Sequence, residues 1–220
     1  VTQGLPFVTL KLAASLDGST ATATGESRWI TGPEARRKVH ALRLSHDAVM
    51  VGSGTARADD PDLTVRDMGA VRQPVRIVLD RMLKHAPDSR LGRTARDHPV
   101  WLLHGPTAPD SARRAWETTG ATLIETPETG GHLDLTTALE ALAAKGLTRI
   151  LSEGGSTLAA ALVKTGLVDE LAMFTGGVLI GAEGHPALGP LALTALSAAP
   201  RPRLRQTERL DPDTFSLWSL

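Results

Sequence analysis

Apolar runs four to eight residues long recur along the chain, separated by helical stretches or polar loops. Residues 7–14, 47–52, 75–80, 100–104, 121–126, 149–152 and 168–174 read as strands. Helices are expected from Thr31-Gly32-Pro33-Glu34 to about Ser45, then over 109–119, 135–145 and 156–165, with Gly146 and Gly166 closing the last two. Residues 203–210 and 214–220 form a hairpin around Asp211-Pro212-Asp213. Strand and helix alternate through most of the chain, which predicts an α/β fold with a mostly parallel central sheet and an antiparallel C-terminal hairpin. The long segment 15–30 reads as a loop, 53–61 as a turn of small and acidic residues, 81–99 as a polar surface excursion and 176–190 as a Gly-rich loop.

Composition narrows the chemistry. The chain has 220 residues, enough for one domain with a sizeable core, and a single domain over 1–220 is expected. Its 24 basic and 24 acidic residues give zero formal charge, which favours neither nucleic acid nor an anionic membrane. There is no Cys, so disulfides, thiolate chemistry and a Cys-ligated zinc deaminase are excluded for these residues. The seven His show no metal-ligand spacing, and no metal is expected. No run reaches membrane-spanning length and no signal segment opens the chain, so a cytoplasmic location is expected.

Ligands of parallel sheets sit beyond the carboxyl ends of the strands, which selects residues 15–18, 52–60, 80–81, 153–156 and 176–184. Glu153-Gly154-Gly155-Ser156-Thr157 lies between a strand and a helix. It suits a pyrophosphate, and equally a tight turn capped by Ser156. Gly52-Ser53-Gly54-Thr55 suits a phosphate or ribose, or is an ordinary loop. Lys11 stands in an apolar strand, where a charge needs a partner or a cavity; Glu153 is a candidate partner, and an edge-strand Lys reaching solvent is the alternative. Trp29 can lean on a flat ring or simply anchor its loop. Arg43 and Arg66 are candidate phosphate contacts, against a default of solvated basic residues. Arg81 at a strand end suits a 2′-phosphate, although Asp80 beside it blurs that inference.

Three strings, VTLKLAASLDGSTATATGESRWITGPEARRKVHALR, VGSGTARADDPDLTVR and LSEGGSTLAAALVKTGLVDEL, resemble the reductase domain of the bifunctional riboflavin-biosynthesis deaminase/reductase. The resemblance runs from about Pro6 to the C-terminus, without the deaminase domain. It implies a three-layer, dihydrofolate-reductase-like fold, a homodimer, and NADPH-dependent reduction of 5-amino-6-(5-phosphoribosylamino)uracil to the ribitylamino product. By position it assigns Ala13, Trp29, Thr55, Asp59, Arg81 and the turn Gly155, Ser156, Thr157, Leu158, Ala159, Ala160, Ala161 to NADP. It assigns Ser27, Arg43, Leu63, Arg66 and Glu153 to substrate, with Lys11 and Glu153 catalytic. A pteridine or dihydrofolate-type reductase and a catalytically silent nucleotide-binding subunit are the competing readings.

Overall fold

The computed structural model describes residues 4–69 and 71–220. Along the chain run β1 (Phe7–Ser15), β2 (Ser19–Ala21), α1 (Pro33–Leu44), β3 (Ala48–Gly52), α2 (Ser53–Asp59), β4 (Val75–Leu79), α3 (Arg90–Arg93), β5 (Val100–His104) and α4 (Asp110–Thr119). They are followed by β6 (Thr122–Glu125), β7 (Glu128–Thr129), β8 (His132–Leu133), α5 (Leu135–Ala144), β9 (Arg149–Ser152) and α6 (Ser156–Lys164). The chain ends with β10 (Glu170–Gly176), β11 (His185–Pro186), a 3-10 turn at Leu196–Ala198, β12 (Arg203–Leu210) and β13 (Asp213–Ser219). These elements gather into two compact units, one of residues up to Phe7 with His40–Gly154, the other of Val8–Val39 with Gly155–Leu220.

In the first unit β9, β3, β4, β5 and β6 lie side by side in that order, every pair parallel. Their runs are apolar because parallel strands are covered on both faces. Val49, Val51, Val78 and Leu102 are fully buried, and Trp116 of α4 packs into the same core. Trp116 keeps its indole N–H satisfied on the His85 carbonyl at 3.1 Å. In the second unit β10 pairs parallel with β1 and antiparallel with β13, and β13 carries β12 on its other side. The outer strand β12 is mostly exposed and rich in Arg, a composition that blunts an open edge. The α/β class, the mostly parallel strands and the antiparallel C-terminal hairpin thus match the reading of the sequence.

Three local readings are corrected. Residues 53–59 form helix α2 rather than a turn. Its N-cap Gly52 makes no side-chain cap bond, so the sequence carried no start signal; fully buried Ala56 anchors it instead. Residues 81–99 are no surface excursion, because Leu83, His85, Leu91 and Ala95 are buried. Within the loops 15–30 and 176–190, β2 and β11 pair antiparallel. Asp17 fastens these two loops, accepting from the Gly181 amide at 2.7 Å and the Ile180 amide at 3.1 Å. The Ser15 hydroxyl first, then these amides, hold the Asp17 carboxyl below its usual pKa.

The buried 81–99 segment makes a testable demand. A Cβ on Gly92 would lie 1.9 Å from the Pro87 carbonyl oxygen, so the backbone would have to move. Gly92→Ala is expected to cost about 2–3 kcal/mol of stability by overpacking, lowering Tm by roughly 5–10 °C in a chain of this size. Thermal unfolding followed by circular dichroism checks this; an unchanged Tm rejects the steric argument.

Candidate functional site

In the first unit, Glu153 leaves the carboxyl end of β9 with its amide on the Met50 carbonyl at 2.9 Å. Its carboxylate meets the Arg43 guanidinium fork to fork: Nε to Oε1 at 2.5 Å and Nη2 to Oε2 at 2.9 Å. The third Arg43 nitrogen, Nη1, donates to the Thr64 carbonyl at 2.8 Å. Both side chains are nearly sealed, with 12% and 9% of their surface exposed. Burial works against the Arg43 charge, but the Glu153 carboxylate outweighs it and holds the pKa of Arg43 above its usual value. Arg43, which the sequence suggested as a phosphate contact, thus commits much of its donor set inside the protein.

Residues 62–66 have no regular secondary structure and are fixed by side chains instead. Arg76 Nη1 holds the Asp62 carbonyl at 3.3 Å. Gln73 grips Val65 twice, accepting from its amide at 2.7 Å and donating to its carbonyl at 3.1 Å. The Arg66 amide donates to His40 Nδ1 at 3.2 Å. Burial first, and then the Arg43 and Arg66 charges, keep the His40 imidazole below its usual pKa. Leu63 has a left-handed φ of 54° and turns its side chain into the core, so a ligand here would meet its backbone. The Arg66 side chain is 57% exposed and reaches Asp62 at 3.2 Å. None of His40, Gln73 and Arg76 entered the sequence-based site. Arg76 alone carried a visible signal, as a charge inside the apolar run VRIVLD.

Thr55 lies half-buried within α2, and Asp59 is its exposed last residue. Arg81 follows β4 and pairs with Glu128 of β7 at 3.1 Å.

In the second unit, Lys11 and Ala13 sit on β1 opposite Ala172 and Phe174 of β10, both partly buried. Lys11 Nζ stands 5.9 Å from the centroid of the Phe174 ring. Ser27 is exposed. Trp29 is 69% exposed, with the Arg36 guanidinium 4.4 Å from its ring centroid. Helix α6 begins at Ser156, and its N-cap is Gly155, with φ of 68° and no side-chain cap bond. Ser156 is therefore not the cap. Thr157 is exposed and Leu158 and Ala161 are partly buried, while Ala159 and Ala160 pack inward.

Among the described residues, no group of three or more His, Cys, Asp or Glu could hold a metal ion, and no helix is long and apolar enough to cross a membrane.

The family model described as the RibD C-terminal domain matches residues 6–216. The chain belongs to the RibD C-terminal domain family. The riboflavin biosynthesis protein RibD of Escherichia coli is 38% identical over 222 residues, an alignment that covers 96% of this chain and 59% of that protein. The chain thus spans under two thirds of the curated RibD protein it matches. A 2,5-diamino-6-ribosylamino-4(3H)-pyrimidinone 5′-phosphate reductase of Methanothermobacter thermautotrophicus is 38% identical over 178 residues, covering 80% of each chain. Among solved structures, RibD of Acinetobacter baumannii superposes with a TM-score of 0.86 at 30% identity, covering 99% of this chain and 59% of that one. The RibD-type, dihydrofolate-reductase-like fold expected from the sequence is therefore the fold of this chain.

Proposed function

We propose that this chain reduces 5-amino-6-(5-phosphoribosylamino)uracil to its ribitylamino product with NADPH, as a cytoplasmic homodimer. The observation that carries this reading is family membership, joined to a relative named as a pyrimidinone 5′-phosphate reductase that aligns over 80% of both chains. The residues also suit a dinucleotide. The start of α6 has no side-chain cap at Gly155, which leaves amides and the positive end of the helix for a phosphate. NADPH supplies the hydride when bound.

The protein's part is to position and to manage charge and protons. Glu153, with both oxygens on one guanidinium, is suited to accept hydrogen bonds and orient the ribosyl group rather than to give up a proton. That leaves Lys11 as the proposed proton donor. Arg66, with its exposed side chain on the clamped 62–66 segment, is the proposed grip on the substrate phosphate. Arg43 holds Glu153 and the Thr64 carbonyl in place for both tasks.

The test is NADPH oxidation, followed by absorbance, with the phosphoribosylaminouracil and separately with the 2,5-diaminopyrimidinone counterpart. Faster oxidation with the uracil supports the stated substrate. Faster oxidation with the diaminopyrimidinone moves the assignment to the substrate in the Methanothermobacter relative's name. Oxidation with dihydrofolate but neither phosphate ester overturns the reading.

A further inference from the structure

The sequence leaves two residues competing at the carboxyl end of β4, acidic Asp80 and basic Arg81. Their side chains go separate ways. Asp80 is only 2% exposed, and its Oδ2 accepts from the His85 amide at 2.7 Å. A carboxylate turned inward on its own loop is removed from the role of receiving a ribose 2′-hydroxyl.

Arg81 faces outward, with 42% of its side chain exposed. Its carbonyl accepts from the Gly105 amide at 2.8 Å, which ties the ends of β4 and β5 together. Its Nη1 donates to Glu128 Oε2 at 3.1 Å. Glu128 is in turn held on its other oxygen by the Thr107 hydroxyl at 3.3 Å. This leaves Nε and Nη2 of Arg81 without a hydrogen-bond partner among the described residues. A guanidinium held at one nitrogen with its other donors open can offer them to a phosphomonoester. Gly105 makes room for the arrangement, since a Cβ there would lie 2.0 Å from Glu128 Oε1 and 3.2 Å from Arg81 Cγ.

We propose that Glu128 and Thr107 are positioning residues that aim Arg81 at the 2′-phosphate distinguishing NADPH from NADH. This rests on the cofactor reading above. Glu128 accepts from Arg81 through one oxygen and from Thr107 through the other, which fixes its carboxylate beside the arginine.

Isothermal titration calorimetry of NADPH and of NADH, without substrate, tests the assignment on the protein and four variants. In Arg81→Ala, the NADPH Kd is expected to rise about tenfold or more, the loss of charge-assisted hydrogen bonds, while the NADH Kd stays put. In Glu128→Ala, a rise of roughly three- to tenfold, again confined to NADPH, reports the loss of aim. Gly105→Ala, which displaces the Glu128 carboxylate without changing any charge, is expected to move the ratio the same way. Glu128→Gln keeps an acceptor for Arg81 and is expected to restore most of the preference. An unchanged NADPH-to-NADH ratio in Glu128→Ala, or tighter NADPH binding there, overturns the positioning role. Failure of the cofactor reading looks different: the unmodified protein binds neither dinucleotide.

Discussion

Glu153→Gln is expected to lower kcat/KM by about three orders of magnitude, within the range for losing a positioned acid–base or orienting group, while NADPH affinity is nearly unchanged. The expectation comes from how Glu153 is held. Its backbone is fixed by the Met50 carbonyl and its carboxylate by the Arg43 fork. Gln keeps the shape and one acceptor oxygen but removes the charge. It also leaves the Arg43 guanidinium, 12% exposed, without its counter-charge. Part of the cost is therefore structural, since breaking a buried pair on one side costs about 3–5 kcal/mol. Assays belong well below the variant's Tm, with circular dichroism as a check that it is folded. NADPH titration separates the two contributions, because a folded variant that binds cofactor but does not turn over has lost chemistry and not structure. Near-normal turnover in that folded variant sinks the proposed role of Glu153.

Arg76→Met is expected to be the most damaging change distant from the chemistry. Arg76 is 1% exposed in the middle of the parallel strands, yet it hydrogen-bonds to no carboxylate. Its Nη1 donates to the Asp62 carbonyl at 3.3 Å and the Thr94 hydroxyl at 2.8 Å. Its Nη2 donates to the carbonyls of Thr94 at 3.0 Å and His98 at 2.5 Å. Nε has no hydrogen-bond partner among the described residues. Burial is the main reason its pKa is pushed down to about 10, with the Asp62 and Asp97 charges working the other way. One cation thereby replaces a stretch of secondary structure, satisfying carbonyls of two irregular segments at once. Met fills a similar volume but leaves those acceptors unpaired, at roughly 1–3 kcal/mol each. Partial relaxation brings the total to about 3 kcal/mol, or roughly 10 °C in Tm. Since Asp62 opens the clamped 62–66 segment, substrate KM is expected to rise more than kcat falls. A variant with wild-type Tm and KM would show that the four hydrogen bonds carry no net weight.

Much of the fold was legible because it depends on local chemistry. Buried parallel strands must be apolar on both faces, so the runs around Met50, Ile77 and Leu102 stood out. Helix α5 announced its end with Gly146, and the hairpin around Asp211–Asp213 announced its turn. Helix α2 gave no such sign, because burial of Ala56 and not a cap holds it. The 81–99 segment read as surface because its polar residues outnumber the few that are buried, and Leu83 and Leu91 are core residues only through tertiary packing.

The candidate site divides in the same way. Which strand ends carry unusual chemistry could be read along the chain, and that reading singled out Glu153, Arg43, Arg66 and Arg81. Their partners emerge from the fold. Arg43 and Glu153 are 110 residues apart in the chain, and Arg81 and Glu128 are 47 apart. Residue type fixes what a side chain can donate or accept, but no local pattern encodes which distant group comes within 3 Å. That is why the Arg43–Glu153 fork, the inward turn of Asp80 and the Arg76 clamp were invisible until the strands were laid side by side.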